Sequence, residues 1–418
     1  MSLKISKILK VSIIFLLFSV FSNAQVKITS YNLLNYPGTD TTTRNPYFRT
    51  VINSINPDIL VVQEITSQDA INGFLNGIMN INGNFYSAGT FINGPDSDNG
   101  IFFKTSLFSF ISNTPIKTAL RDINEFKLVC LSNLDTLRIY SAHLKASTGT
   151  SNELLRAAEV DSLRKVTNTL PFNSYFIVCG DFNLYRSGEP AYQKLLEITT
   201  GSYGNFNDAL NMIGTWNNSA YASYHTQSSR VRSFGGGASG GLDDRFDFIL
   251  YSSAIKNPGR LTYVLNSLTA YGNDGNHYND SINKSPNTAV SQFIANAIHY
   301  ASDHLPVYAL FSLSTTSSIN LTNSNIPSEF KLSQNYPNPY NPTTKIIFDL
   351  PKDAKVTLVI YDILGRQMAK LASGEFKKAG TYMVEFNGQN YVSGVYFYKI
   401  VAEGETKYTA VKKMMLVK

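Results

Sequence analysis

Six segments of the sequence set acids, carboxamides or imidazoles within or just past an apolar run. They are Asn32 in SYNLLNY, Glu64 in VVQE, His143 in YSAHL, Asp181 and Asn183 in GDFN, Asp247 in RFDFIL, and Asp303 with His304 in SDHLPV. Taken singly, each has a bland explanation, since Gly-Asp-x-Asn is good turn chemistry. Asp247 is harder to dismiss, because an aspartate inside a strand is disfavoured and needs a partner. The repetition is the unusual feature. Carboxylates and carboxamide oxygens are hard ligands that suit Mg²⁺, Mn²⁺ or Ca²⁺. Zinc would want more histidine or cysteine, and no two histidines here have zinc-motif spacing. Acids beside imidazoles suit activation of water and protonation of a leaving oxygen. The set points to metal-assisted hydrolysis of a phosphate ester.

These groups need elements that bring them together. Residues 26–36 and 58–64 read as strands, and the spacing of Phe48, Val51, Ile52 and Ile55 predicts a helix between them that Pro57 stops. GIFFK, FKLVCLSN and LRIYSAHL are further strands. Thr150 to Glu153 reads as a capping box that opens the amphipathic helix ELLRAAEVDSLRKV. FIVCGDFN, RFDFILYS and SDHLPVYALFSL complete the set. Strands alternating with helices predict α/β architecture. In such a sheet, strand ends on one side share a crevice, where residues distant in sequence can meet.

The chain of 418 residues is long enough for two or three domains. Its formal charge of +6 belongs to the two ends, while residues 26–313 carry a net of −2. The basic balance is therefore no sign of nucleic-acid binding by the middle, which would need metal ions or local patches to attract phosphate. Lys4, Lys7 and Lys10 precede an apolar run, 11–21, that is short for a bilayer span, and small residues follow it. Residues 1–24 read as a signal peptide, with an uncleaved anchor as the alternative. No later stretch predicts a membrane span in the mature protein. Cys130 and Cys179 lie in strand-like runs, where buried free thiols are expected although export would permit a disulfide. Residues 314–329, rich in Ser, Thr and Asn, read as a linker. Residues 330–418 alternate between strands and short turns, as in a small all-β sandwich.

On these motifs, residues 25–313 resemble the endonuclease/exonuclease/phosphatase superfamily, the fold of DNase I, exonuclease III and sphingomyelinase. SYNLLNY, PDILVVQE, YSAHLKA, VCGDFN, DRFDFILY and SDHLPV occur in the family's order. The resemblance implies a DNase I-like four-layer α/β sandwich: two packed mixed β-sheets flanked by helices. It implies that Glu64, with Asn32 nearby, holds a divalent metal, Mg²⁺ or else Mn²⁺ or Ca²⁺, with Asp303 at the metal side. Asp181 would deprotonate the attacking water and Asn183 would steady phosphate oxygens. His304, oriented by Asp247, would contact the scissile phosphate. His143 would be a second phosphate contact or the leaving-group acid, as in the DNase I and sphingomyelinase branches. Lys145 and Arg156 are weaker candidates for substrate contact, with solvated charges as the alternative. GGGASGG, at 235–241, reads as a flexible loop beside the site, since it lacks the Gly-Lys-Ser/Thr ending of a nucleotide loop.

Residues 330–418 resemble the sorting domain of type IX secretion cargo, on LSQNYPNPYNPTTKIIFDLP, YDILGRQM, GTYMVEFNG and the final KKMMLVK. The module is expected to be a small all-β immunoglobulin-like sandwich, with a carbohydrate-binding or adhesive β-sandwich as the alternative role. The resemblance implies the type IX machinery as partner and export from a Gram-negative bacterium. The whole then reads as a secreted nuclease acting on DNA, or RNA. The rivals are a phospholipid or sphingolipid phosphodiesterase, a sugar-phosphate phosphatase, and a non-catalytic adhesion protein. A lipid enzyme would want an exposed aromatic hairpin, which 85–94 could supply.

Overall fold

The computed structural model describes residues 24–418 apart from 40, 134, 172–173, 258–259, 314–319, 324–325 and 389–390. The expected signal peptide lies outside the described residues, except for Ala24, where the first strand begins.

Two mixed sheets face each other. The first runs in the order Leu261–Tyr263, Val307–Leu313, Ala24–Tyr36, Ile59–Ile65, Asp98–Lys104, Tyr86–Ala88. The second runs Phe108–Ile116, Ile123–Cys130, Thr136–His143, Tyr175–Asp181, Asp247–Ser252, Phe206–Asn207. Each has one parallel pair near its centre: Ala24–Tyr36 beside Ile59–Ile65, and Thr136–His143 beside Tyr175–Asp181. A helix makes each crossover, as parallel neighbours require: Thr41–Ile55 in the first sheet and Thr150–Thr167 in the second.

Strand alternation sorts the side chains. Val26, Ile28, Ile59, Val61, Ile139, Ile177, Cys179 and Ile249 fill the space between the sheets. The intervening Tyr31, Leu60 and Val62 face outward onto Phe48, Val51, Ile52 and Ile55, the helix face expected from spacing. Tyr140, Val178 and Leu250 do the same against Ala157, Val160 and Leu163 on the other side. The result is helix, sheet, sheet, helix. Full burial of each such side chain contributes about 1.5–3 kcal/mol.

Two local expectations are amended and a third, the buried free thiols, holds. The helix after YSAHLKA begins at Thr150 with Gly149 as its cap residue and no side-chain cap bond. Glu153 pairs with Arg186 rather than closing a capping box. Cys130 and Cys179 are both free and buried, and burial pushes each thiol up to about 12. Asn320–Asn323, inside the expected linker, forms a strand that pairs with Gly380–Asn387.

The C-terminal module is two four-stranded antiparallel sheets around their own core, with Ile346, Phe348, Val384, Leu358, Ile360 and Tyr398 at its centre. No helix among the described residues is long and apolar enough to cross a membrane.

Candidate active site

The inter-sheet face of each strand is apolar in the core and turns polar at one edge. Ile177 and Cys179 lead to Asp181, Ile139 and Ser141 to His143, and Ile28 and Ser30 to Asn32. Register does the rest. His143 is the direct partner of Asp181 on one side, and Asp247 is its partner on the other. Gly180 has φ +140°, and a Cβ there would lie 1.9 Å from the carbonyl oxygen of Ala142. Only glycine allows the backbones to approach this closely beside the aspartate.

Glu64 reaches the same edge by a different route. Strict alternation would put it on the helix side with Leu60 and Val62. Instead it adopts φ +57°, and the pairing with Asp98–Lys104 slips between Gln63 and Ile65. This bulge re-aims the carboxylate, and a non-glycine residue at positive φ holds that conformation at a cost. Its oxygens accept from Asn32 Nδ2 at 2.9 Å and from the Asn35 amide at 2.9 Å. Asn32 Nδ2 also lies 3.2 Å from Asp181 Oδ2, so one carboxamide bridges both carboxylates.

Asp181 is the centre of the cluster. Its Oδ2 is 3.5 Å from His143 Nε2 and 3.5 Å from His304 Nε2. Oδ1 accepts the Asn183 amide at 3.1 Å, so the turn and the site share one residue. Burial pushes the carboxyl up to about 7; His304 pulls it down while Asp247 and Glu64 push it further up. Glu64 is likewise raised, first by burial. The imidazoles diverge. Burial, then the charges of Arg121 and His304, hold His143 well below the usual histidine range. Burial opposes the charge on His304 too, but Asp247 at 2.8 Å from Nδ1, together with Asp181, outweighs it and raises His304 well above that range. A charged imidazole donates from both nitrogens. The side-chain amide nitrogen of Gln227 lies 2.6 Å from His304 Nε2.

Glu64, His143 and Asp181 each offer a ligand atom within 4.8 Å of the others. Buried carboxylates facing one another with raised pKa values are a donor set that fits a divalent cation. Asp303 is not one of these three; its charge acts on both Glu64 and His304, and its Oδ2 accepts the Ala238 amide at 2.6 Å. The glycine-rich loop is thereby pinned to the site's rim. Asn183 Nδ2 donates to the Leu144 carbonyl, bracing the end of the His143 strand; its second N–H has no partner among the described residues.

Arg156 does not face the cleft. It is fully buried, paired with Glu189 at 2.7 Å, and donates to the carbonyls of Lys145 and Ser147. Lys145 turns its ammonium to the Ala146 carbonyl. Arg156 therefore shapes the loop after His143 rather than a substrate surface. Composition hid the reason, because a buried ion pair and a solvated charge look alike in sequence. Sequence reasoning also missed a buried polar chain behind the site. Gln63 donates to Ser141, Ser141 to Asn99, and Asn99 to Asn124, at 2.9–3.0 Å. The alternation that runs into Asn32 and His143 also holds Gln63 and Ser141, and was the available signal. His225, His277 and His299 bond to Trp216 O, Asp274 and Ser229 O respectively, away from this cluster.

Residues 29–304 match the endonuclease/exonuclease/phosphatase family, and residues 334–417 match the secretion system C-terminal sorting domain. No curated protein matches the chain. Similar solved structures include the D. rerio TDP2 complexed with single strand DNA product, 14% identical, covering 69% of this chain and 99% of that one, with a TM-score of 0.47. The human Nocturnin catalytic domain with bound sulfate is 20% identical, with 69% and 95% covered and a TM-score of 0.45. A mannosyl-6-phosphatase of Bacteroides thetaiotaomicron is 15% identical, with 68% and 99% covered and a TM-score of 0.43. Members of the matched family depend on divalent metals and hydrolyse phosphoric esters. The chain belongs to the endonuclease/exonuclease/phosphatase family, as a DNase I-like phosphoesterase domain followed by a sorting domain that directs export to the cell surface or beyond it.

Proposed function

We propose that the chain is a secreted nuclease that hydrolyses the phosphodiester bonds of DNA, with RNA as a second substrate. The observation that carries the chemistry is Asp181 set between two imidazoles, 3.5 Å from each. Asp181, with its pKa near neutrality, accepts the proton of the attacking water. His304 presents a positive charge to the phosphate oxygens, and Asp247 sustains that charge. His143 is held neutral, which favours phosphate contact over the role of leaving-group acid. Glu64, bonded by Asn32 and with His143 nearby, would hold a divalent cation such as Mg²⁺, which would supply charge to polarise the phosphate and leave Asp181 as the base.

Export and the second imidazole support a scavenging nuclease over intracellular repair. The lipid reading loses its expected feature, since Phe91 packs against the outer-face core and Tyr86 bonds to the Pro57 carbonyl, leaving only Phe85 prominent in that hairpin. Export would run from an N-terminal signal across the periplasm and then the outer membrane of a Gram-negative cell.

The test is a panel of plasmid DNA, RNA, phospholipid and sugar phosphate, with Mg²⁺ or Mn²⁺ and with EDTA. DNA degradation that stops with EDTA is expected. Asp181→Ala and His304→Ala should each lower kcat at least a hundredfold, within the range of acid–base contributions. Survival of both nucleic acids beside hydrolysis of a lipid or sugar phosphate would overturn the nuclease reading. Full activity in either variant would overturn the mechanism.

A further inference from the structure

A cavity of about 180 Å³ opens beside the catalytic cluster, lined by Leu34, Tyr47, Arg230, Phe234 and Tyr300 among others. Leu34 ties it to the site: its amide donates to Asn32 Oδ1 at 3.0 Å. A Cβ on Gly237 of the glycine-rich loop would touch both Leu34 and Asp303. The cavity therefore shares a wall with the candidate active site.

Its walls pair flat rings with a buried cation. Tyr47 and Tyr300 stack at 5.1 Å, and Phe234 lies 5.5 Å from Tyr300. Phe234 and Tyr300 are 37% and 41% exposed, so both side chains reach solvent. Arg230 is only 1% exposed, and its guanidinium lies 4.2 Å over the Phe234 ring. Its Nη1 donates to the Phe234 carbonyl at 2.7 Å, but Nε and Nη2 have no partner among the described residues. A buried guanidinium is costly unless an anion answers it. No carboxylate forms an ion pair with it among the described residues, and the charge of Asp303 acts on it only from beyond ion-pair distance. Neighbouring Arg44 is different, since it donates to the carbonyls of Leu33, Leu34 and Ala301 and serves the fold.

We propose that this cavity is a nucleotide subsite, in which Phe234 and Tyr300 stack the base adjoining the scissile phosphate and Arg230 answers that nucleotide's own phosphate. Aromatic faces take any base, and a planar guanidinium matches a phosphate. The proposal deepens the nuclease reading and rests on it. It also assigns a purpose to the glycine-rich loop, which follows Phe234, lines the cavity with Gly235 and is held to Asp303 through Ala238.

The test uses the full chain in EDTA, with 5′-phosphorylated dithymidylate titrated calorimetrically. Phe234→Ala should weaken binding about tenfold, the size expected for a lost base–aromatic stack. The same dinucleotide lacking its bases should bind wild type no better than the variant binds the intact ligand. Arg230→Met should also weaken binding and, by removing an unanswered buried charge, raise Tm. A purely structural arginine would lower Tm on replacement. Wild-type affinity in both variants overturns the subsite. If that occurs while plasmid DNA is still degraded, the subsite alone falls and the nuclease reading stands. If wild type degrades no nucleic acid but the binding pattern holds, the nuclease reading falls and the cavity remains a nucleotide site. Should Arg230→Met fail to fold, the Phe234 variant and the base-free ligand decide the matter.

Discussion

At the scale of residues, the site separates two imidazoles that start from the same chemistry. His143 and His304 flank one carboxylate, yet only His304 has an aspartate on its far nitrogen. The Nδ1 of His143 has no partner among the described residues, so burial decides its state. The difference is measurable in the metal-free protein by imidazole NMR across pH. His304 should stay charged well above pH 6.5, the ordinary histidine value, and His143 should stay neutral well below it. Asp247→Asn should bring the His304 titration down. Two histidines that both titrate near 6.5 would show that Asp247 does not govern the charge.

At the scale of elements, the precision of the site depends on how strand ends are held. The strand ending at His143 is secured just beyond its end, where the Lys145 amide donates to Glu159 at 2.9 Å, from the helix that covers the sheet. The second Glu159 oxygen has no partner, and burial pushes the carboxyl up to about 7, offset in part by the Lys145 amide and nearby cations. The folded state therefore binds a proton that the unfolded chain releases near 4.5. The stability this gives is complete below about pH 4.5 and is lost as pH rises toward 7. Glu159→Gln should match wild type at pH 4.5 and exceed it at pH 8 by up to about 3 kcal/mol, at about 1.4 kcal/mol per pKa unit. Urea denaturation at the two pH values measures this. A variant less stable at pH 8 would mean that the ionised side chain is needed to hold the strand end.

At the scale of the whole molecule, two closed cores share one chain. The phosphoesterase domain and the C-terminal module each bury their own apolar set, and Arg260 links them by pairing with Asp135 at 3.1 Å and Glu375 at 3.2 Å. Partly exposed ion pairs of this kind contribute about 0–1 kcal/mol. We therefore expect residues 25–313 to fold alone and retain the activity of the full chain within about twofold, as read by kcat/KM, with export lost in cells. A truncated chain that unfolds would show that the module is part of the catalytic fold rather than a separable signal.

Much of this was legible in the sequence because it was local or periodic. Alternation placed the strands, helical spacing placed Phe48, Val51, Ile52 and Ile55, and six polar strand ends marked the crevice. What is local in sequence also misled, as when Thr150 to Glu153 read as a cap and the helical Arg156 read as a candidate for the cleft. Sequence fixes which residue types follow a strand, but not what lies opposite them. Only the tertiary structure decided that Glu64 is turned by a bulge, that Arg156 is spent on Glu189 while Arg230 stays unanswered, and that His143 and His304 differ in charge. Each of these depends on partners dozens to hundreds of residues away, on burial, and on sheet register. Those are properties of the packed chain, and no window of its sequence contains them.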